Sequence, residues 1–226
     1  MDYNFLTTFY IIAMEIFLAL TIVKVLKKSD MQNPSTVKAG LIFGLWLLLS
    51  VILFGFVKIL PENITSMTLF STILLGVTLS GLLFYLLKEE LLNLSQELLL
   101  LPQAFRMFFG AGFIVEAVFQ IMPINYGVID GILHITTAFL STTLAIYIAR
   151  GCSCFKSLLL VNLFGLLDIL IVAGGISFVI LEEIGSEHNV FLAVFFAAPI
   201  FIWLHIFSLI KLYRTKYSHK EEHVIN

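Results

Sequence analysis

Residues 41–56 read LIFGLWLLLSVILFGF, a stretch with no charged group and with apolar side chains on every face of a helix. A strand of a membrane barrel would alternate apolar and polar residues instead, so this stretch predicts a helix whose backbone bonds are satisfied internally while its whole surface meets lipid. Extended to 39–57, it approaches the roughly 20 residues that a helix needs to cross about 30 Å of hydrocarbon. Six more stretches of that kind follow outward from it, at 5–25, 67–87, 103–122, 128–149, 157–181 and 190–210. The composition agrees: 60% of residues are hydrophobic and only 12% charged, with mean hydropathy +1.03, against roughly 25% charged in a soluble domain. The expectation is an all-α, polytopic transmembrane helix bundle of seven spans, forming one domain over 1–226. Met1-Asp2-Tyr3-Asn4 lacks the positive region of a signal peptide and no small-residue cleavage site follows, so the first span is expected to be retained.

Basic residues orient the bundle. Lys24, Lys27, Lys28, Lys38, Lys88, Arg106, Arg150, Lys156, Lys211, Arg214, Lys216 and Lys220 all fall on one side if the spans alternate, and Lys58 alone falls on the other. The positive-inside rule then places the N-terminus outside and the C-terminus in the cytoplasm. A formal net charge of −2 gives no attraction to nucleic acid. Cys152 and Cys154 lie in a cytoplasmic loop, where a disulfide is not expected, and two thiols are too few for a metal site.

Between the third and fourth spans, residues 88–101 form an acidic amphipathic segment. Glu89, Glu90, Asn93, Gln96 and Glu97 share one face and Leu91, Leu94, Leu98 and Leu101 the other. It predicts a surface helix packed on the protein's own cytoplasmic face or on a protein partner there, as the tail 211–226 also could. Pro102-Gln103 ends it and resembles the motif of PQ-loop transporters, which carry the pair in each of two three-helix repeats, whereas here it occurs once. Pro199 predicts a bend in the seventh helix that frees a backbone carbonyl.

An ionisable group in hydrocarbon costs a few kcal/mol, so its presence marks a packed partner, a water cavity or a function. The first three spans carry only Glu15, whereas the last four carry Arg106, Glu116, Asp130, His134, Asn162, Asp168 and His205. Those seven are the candidate site for a small solute or a proton. Asp130 and His134, four apart, share a helical face with Thr137 and Ser141. Counting inward from the span ends puts Arg106, Asn162 and His205 in the inner third. Glu15, Glu116 and Asp168 fall near the middle, and Asp130 and His134 toward the outside. On that count Arg106 and Asp168 are separated by about 13 Å of rise and do not touch, and His134 and His205 are too far apart to share a haem. Asp168→Asn is accordingly expected to fold normally and to abolish pH-dependent activity. Gly110, Gly112, Gly165, Gly174 and Gly175 predict close helix contacts.

Gln103-Ala104-Phe105-Arg106 with Gly110, Gly127-Val128-Ile129-Asp130, Asn162-Leu163-Phe164-Gly165-Leu166-Leu167-Asp168 and Leu204-His205-Ile206-Phe207-Ser208-Leu209 together resemble a set of uncharacterised bacterial multi-pass membrane proteins. The resemblance covers roughly 103–209 and implies candidate residues and a bacterial inner membrane, but no reaction. A retinal protein is set aside because Lys211 stands at the end of the last span rather than at its middle. The sequence leaves three readings open. They are a binding or transport protein for a small solute or proton, an intramembrane metal-dependent hydrolase similar to the alkaline ceramidase and adiponectin-receptor group, and an accessory or sensory subunit. The hydrolase group carries paired histidines on its last helix, and His205 has no such neighbour. No cofactor or metal is expected, and the lipid bilayer is the expected surrounding.

A reporter active only in the cytoplasm is expected to work when fused after Asn226 and to fail when fused before Met1. Activity at both ends would overturn the count of seven spans.

Overall fold

The computed structural model describes residues 3–29, 33–152 and 154–222. The described residues are helical and contain no strand. In chain order the helices are α1 (Tyr3–Leu26), α2 (Asn33–Ser50, continued by a π turn at Val51–Phe56), α3 (Ser66–Tyr85), α4 (Lys88–Asn93) and α5 (Gln96–Leu100). A 3-10 turn at Leu101–Phe105 leads into α6 (Arg106–Val118), followed by α7 (Ile124–Ala149) and α8 (Phe155–Gly175, continued by a π turn at Ile176–Ile180). The last are α9 (Leu181–Ile184), α10 (Val190–Phe195) and α11 (Ala197–Glu222). Together they make seven helical stretches long and apolar enough to cross a membrane. The architecture fits a multi-pass membrane protein. The last four residues of the tail read from the sequence lie outside the described residues.

The seventh stretch, Val190–Arg214, is the centre of the bundle: 78% of its most apolar window is buried, against 17% for the second and 22% for the third. α8, α5 and α3 pack directly on it, α7 packs on α8 and carries α6, and α2 and α3 are the spans that bury least of themselves. The α6–α7 contact is backbone against backbone. A Cβ on Gly110 would lie 2.5 Å from the Gly131 carbonyl, and one on Gly131 would lie 2.6 Å from the Gly110 carbonyl, so a side chain at either position would force the helices apart. Gly112 and Gly175 are likewise covered, by Tyr10 and Tyr126, but Gly174 faces open space and supports no helix contact.

Two expectations need correction. The fourth membrane-length helix begins at Gln96, not at 103, and takes in part of the acidic segment. That segment is not one surface helix. It breaks at Leu94, and Leu91, Leu94, Leu99 and Leu100 are buried among the other helices. Gln96 turns inward, donating from Nε2 to the Ser208 carbonyl at 3.0 Å and accepting the Ser208 hydroxyl at 2.7 Å. Secondly, Cys152 and Cys154 are joined as a disulfide, with Cα atoms 5.6 Å apart, a separation within the range that geometry permits.

At the opposite end, the Lys58 ammonium donates to the Glu187 carbonyl at 2.7 Å and ties two connections together. His188 accepts the Val190 N–H at Nδ1 and donates from Nε2 to the Ile121 carbonyl, each at 3.1 Å. Those two bonds fix a neutral tautomer, and burial pushes the His188 pKa down to about 4.

The last membrane-length helix is broken at Phe196, with φ −120° and ψ −64°, where the sequence predicts a bend. Pro199 has no N–H to give to the carbonyl of Phe195, four residues earlier. That carbonyl accepts the Trp46 indole N–H instead, at 3.1 Å, so a side chain from α2 completes the central helix. Trp46→Phe keeps the ring and removes the donor, and it is expected to lower stability by about 1–3 kcal/mol. Thermal unfolding in detergent would show this, and an unchanged melting temperature would mean that the carbonyl finds another donor.

Candidate functional site

Arg106 opens α6 and has no exposed surface. It does not snorkel. Its Nη1 donates to the Gly165 carbonyl at 3.2 Å, and its Nη2 makes a short ion pair with Oδ2 of Asp168. The sequence count had kept these two apart because it started the fourth span at 103. With the helix beginning at Gln96, Arg106 stands ten residues in, roughly 15 Å deeper than the span end.

Asp168 is the best-solvated carboxylate in the bundle, solvated by protein. Besides Arg106, it accepts the Thr137 hydroxyl at 2.6 Å and lies 3.2 Å from Nδ1 of His134. α7 supplies both groups from one face, and Gly131 on that face lets α7 approach α6 closely enough to deliver them. His134 Nδ1 also stands 3.1 Å from Arg106 Nη2 and 3.6 Å from Oδ1 of Asp130. The Asp130 oxygens are buried and have no hydrogen-bond partner among the described residues. Arg106, Asp130, His134 and Asp168 thus form one cluster across α6, α7 and α8, although the sequence count places them at three different depths.

His134 keeps about 10% of its side chain accessible, where it borders a small cavity of about 30 Å³. Phe109, Phe113, Ile176, Val190 and Phe201 are among its walls. The space has the volume of one or two water molecules, and His134 is the polar side chain among its lining residues.

A second group sits beside the first. Asn162 donates from Nδ2 to the Leu158 carbonyl at 2.7 Å and to the Ser208 hydroxyl at 2.9 Å, and its Oδ1 faces His205 Nδ1 at 2.8 Å. Because that oxygen can only accept, His205 carries its proton on Nδ1 and presents a bare Nε2. This nitrogen lies against Gly165, where a Cβ would come within 2.2 Å. Gly165 is therefore the seam between the groups, with Arg106 on its carbonyl and His205 on its Cα. Gln103 donates to the Phe201 carbonyl at 3.1 Å nearby.

Glu116 is buried farther along α6, beside Asn189 and Thr7, which are joined by a 2.7 Å hydrogen bond. Glu15 is fully buried and makes no hydrogen bond among the described residues. The carboxylates of Asp130 and Asp168 and the His134 ring can bring one ligand atom each within 4.8 Å of one another, a spacing that would admit a metal ion. The Arg106 guanidinium, already on Asp168, opposes a second cation there.

Residues 63–213, more than half of the chain, match the family model described as a domain of unknown function, DUF8737. The chain belongs to this family. All seven candidate residues lie within the DUF8737 stretch, and so do Gln103, Thr137 and Ser208, whereas Glu15, Thr7 and Trp46 lie outside it. No curated protein and no solved structure matches the chain.

The ion pair changes the outlook for Asp168. Removing its charge strands Arg106 in a medium that cannot solvate it, so Asp168→Asn is now expected to lose about 3–5 kcal/mol rather than fold normally. The double variant Arg106→Met with Asp168→Leu is expected to regain most of that loss. Additive losses in a double-mutant thermal-unfolding cycle would mean that the two residues do not act as a pair.

Proposed function

We propose that the protein binds a proton at the Arg106–Asp168–His134–Asp130 cluster and couples it to a small solute, as a binding or transport protein of a bacterial inner membrane. In this reading the N-terminus is outside and the C-terminus cytoplasmic, as the basic residues require. The observation that carries the reading is the position of one atom, His134 Nδ1, which lies 3.1 Å from a permanent donor and 3.2 Å from a carboxylate oxygen. A single nitrogen cannot serve both. Bare, as in the Nε2–H tautomer, it accepts from Arg106; carrying a hydrogen, as in the Nδ1–H tautomer or the imidazolium, it donates to Asp168 and faces Asp130.

Charge counting supports the same conclusion. One guanidinium balances one of two carboxylates, and the hydrogen bonds assign that balance to Asp168. The second carboxylate, Asp130, leaves a buried negative charge unless a proton resides on it or on His134. Losing that proton leaves the cluster at −1 in low dielectric, which costs several kcal/mol unless water, a cation or a helix movement compensates. Proton release and occupancy or rearrangement of the site are coupled for this reason. The small cavity beside His134 extends toward Ile176 and Val190, at the end of the bundle that this orientation puts outside.

The spacing of Asp130, His134 and Asp168 favours one second reading, a metal-dependent hydrolase using these three as ligands. A single experiment separates the two. The purified protein, acidified over the range in which it stays folded in the presence of a soluble indicator, is expected to take up about one more proton than either Asp130→Asn or His134→Gln. Equal uptake by all three would sink the proton reading, and stoichiometric zinc lost in both variants would install the metal reading instead.

A further inference from the structure

A groove of about 650 Å³ runs between α3 and α11, at the end of the bundle where most basic residues lie. Its walls are apolar. Val77 and Leu82 stand on one side, Phe207 and Ile210 on the other, and Trp203 closes the deep end. The Trp203 ring lies over Gly81, where a Cβ would come within 2.3 Å of it. Its indole N–H is shared by the Val77 carbonyl at 3.0 Å and the Ser80 hydroxyl at 3.1 Å, so this wall is fixed in place. Thr78 turns its hydroxyl hydrogen back to the Leu74 carbonyl at 2.8 Å and offers the groove no side-chain donor.

The shallow end is different. Lys88 and Arg214 both border it, with the Lys88 ammonium 5.6 Å above the Tyr85 ring. Lys88 also lies 4.0 Å from the exposed Glu89 carboxylate, a long surface pair worth little. Lys211, close by on α11, is committed elsewhere: it donates to the Leu92 and Leu94 carbonyls in the break between α4 and α5. Two cations therefore stand over an otherwise apolar slot. From Arg214 to Trp203 is eleven residues of helix, about 16 Å, close to the half-thickness of a hydrocarbon core.

We infer that this groove holds one anionic phospholipid, its phosphate between Lys88 and Arg214 and an acyl chain along α3 and α11 down to Trp203. An extended peptide fits less well, because its backbone would bring amides into a slot that offers them no partners. An acyl chain needs none. The charge at the mouth selects an anionic headgroup over a zwitterionic one.

The test is native mass spectrometry of the full chain released from detergent micelles, with phosphatidylglycerol, phosphatidylcholine of the same chains, or inorganic phosphate added. One retained phosphatidylglycerol per protein is expected, with phosphatidylcholine and phosphate at least tenfold weaker. Lys88→Gln with Arg214→Gln should remove that preference. Ile210→Trp should block the slot and weaken both lipids while leaving the charges in place. Equal retention of the two lipids by the wild type, or a preference that survives loss of both cations, would overturn the site. Saturation by inorganic phosphate alone would overturn the role of the acyl chain.

Discussion

A guanidinium that touches no solvent has to find its counter-charge inside the protein, and the packing of the central helices follows from how that is done for Arg106. Isolated in hydrocarbon, the charge would be prohibitive. Paired with Asp168 and bonded to the Gly165 carbonyl, it becomes a junction between α6 and α8. α7 joins because Thr137 and His134 complete the carboxylate's coordination. α11 joins because His205 lies on the bare surface of Gly165. Removing one partner of such a pair is far more damaging than removing both, since the remaining charge has nowhere to go.

The first three membrane-length helices contribute differently. They add few polar groups, the second and third bury the least of themselves, and α1 and α2 lie outside the DUF8737 stretch. Their links to the centre are specific all the same. Trp46 supplies the hydrogen bond that Pro199 denies to Phe195, and Thr7 meets Asn189 beside Glu116. Each link satisfies a polar atom that lipid would leave bare.

Much of this was legible in the sequence, and what was not has a definite cause. Hydropathy is a one-dimensional property, so seven apolar stretches and the seven polar residues that interrupt the last four could be read directly. The bend at Pro199 was legible for the same reason, because a missing N–H names the carbonyl it abandons. Contacts between helices were not. Counting depth from an assumed span end put Arg106 too near the surface, since α5 lies within a segment whose acidic face reads as solvated. Gln96 was read as part of that face, yet its amide bonds to Ser208 in the core. Asn189 and Thr7 gave no signal at all, being ordinary residues at span ends until the fold sets them side by side.

The row from Gln96 through Ser208 and Asn162 to His205 has a consequence for conduction. The hydrogens that link its members each have an acceptor: the hydroxyl of Ser208 goes to Gln96, the amide of Asn162 to Ser208 and Leu158, the ring N–H of His205 to Asn162. Relay along such a row requires each member to accept a hydrogen on one side while releasing another on the opposite side. A carboxamide can do so only by passing through its imidic form, far above the amide in energy. The row is thus an electrical insulator laid directly against a charged cluster. It holds the helices together at Gly165 and offers that flank of the cluster no path for proton hopping.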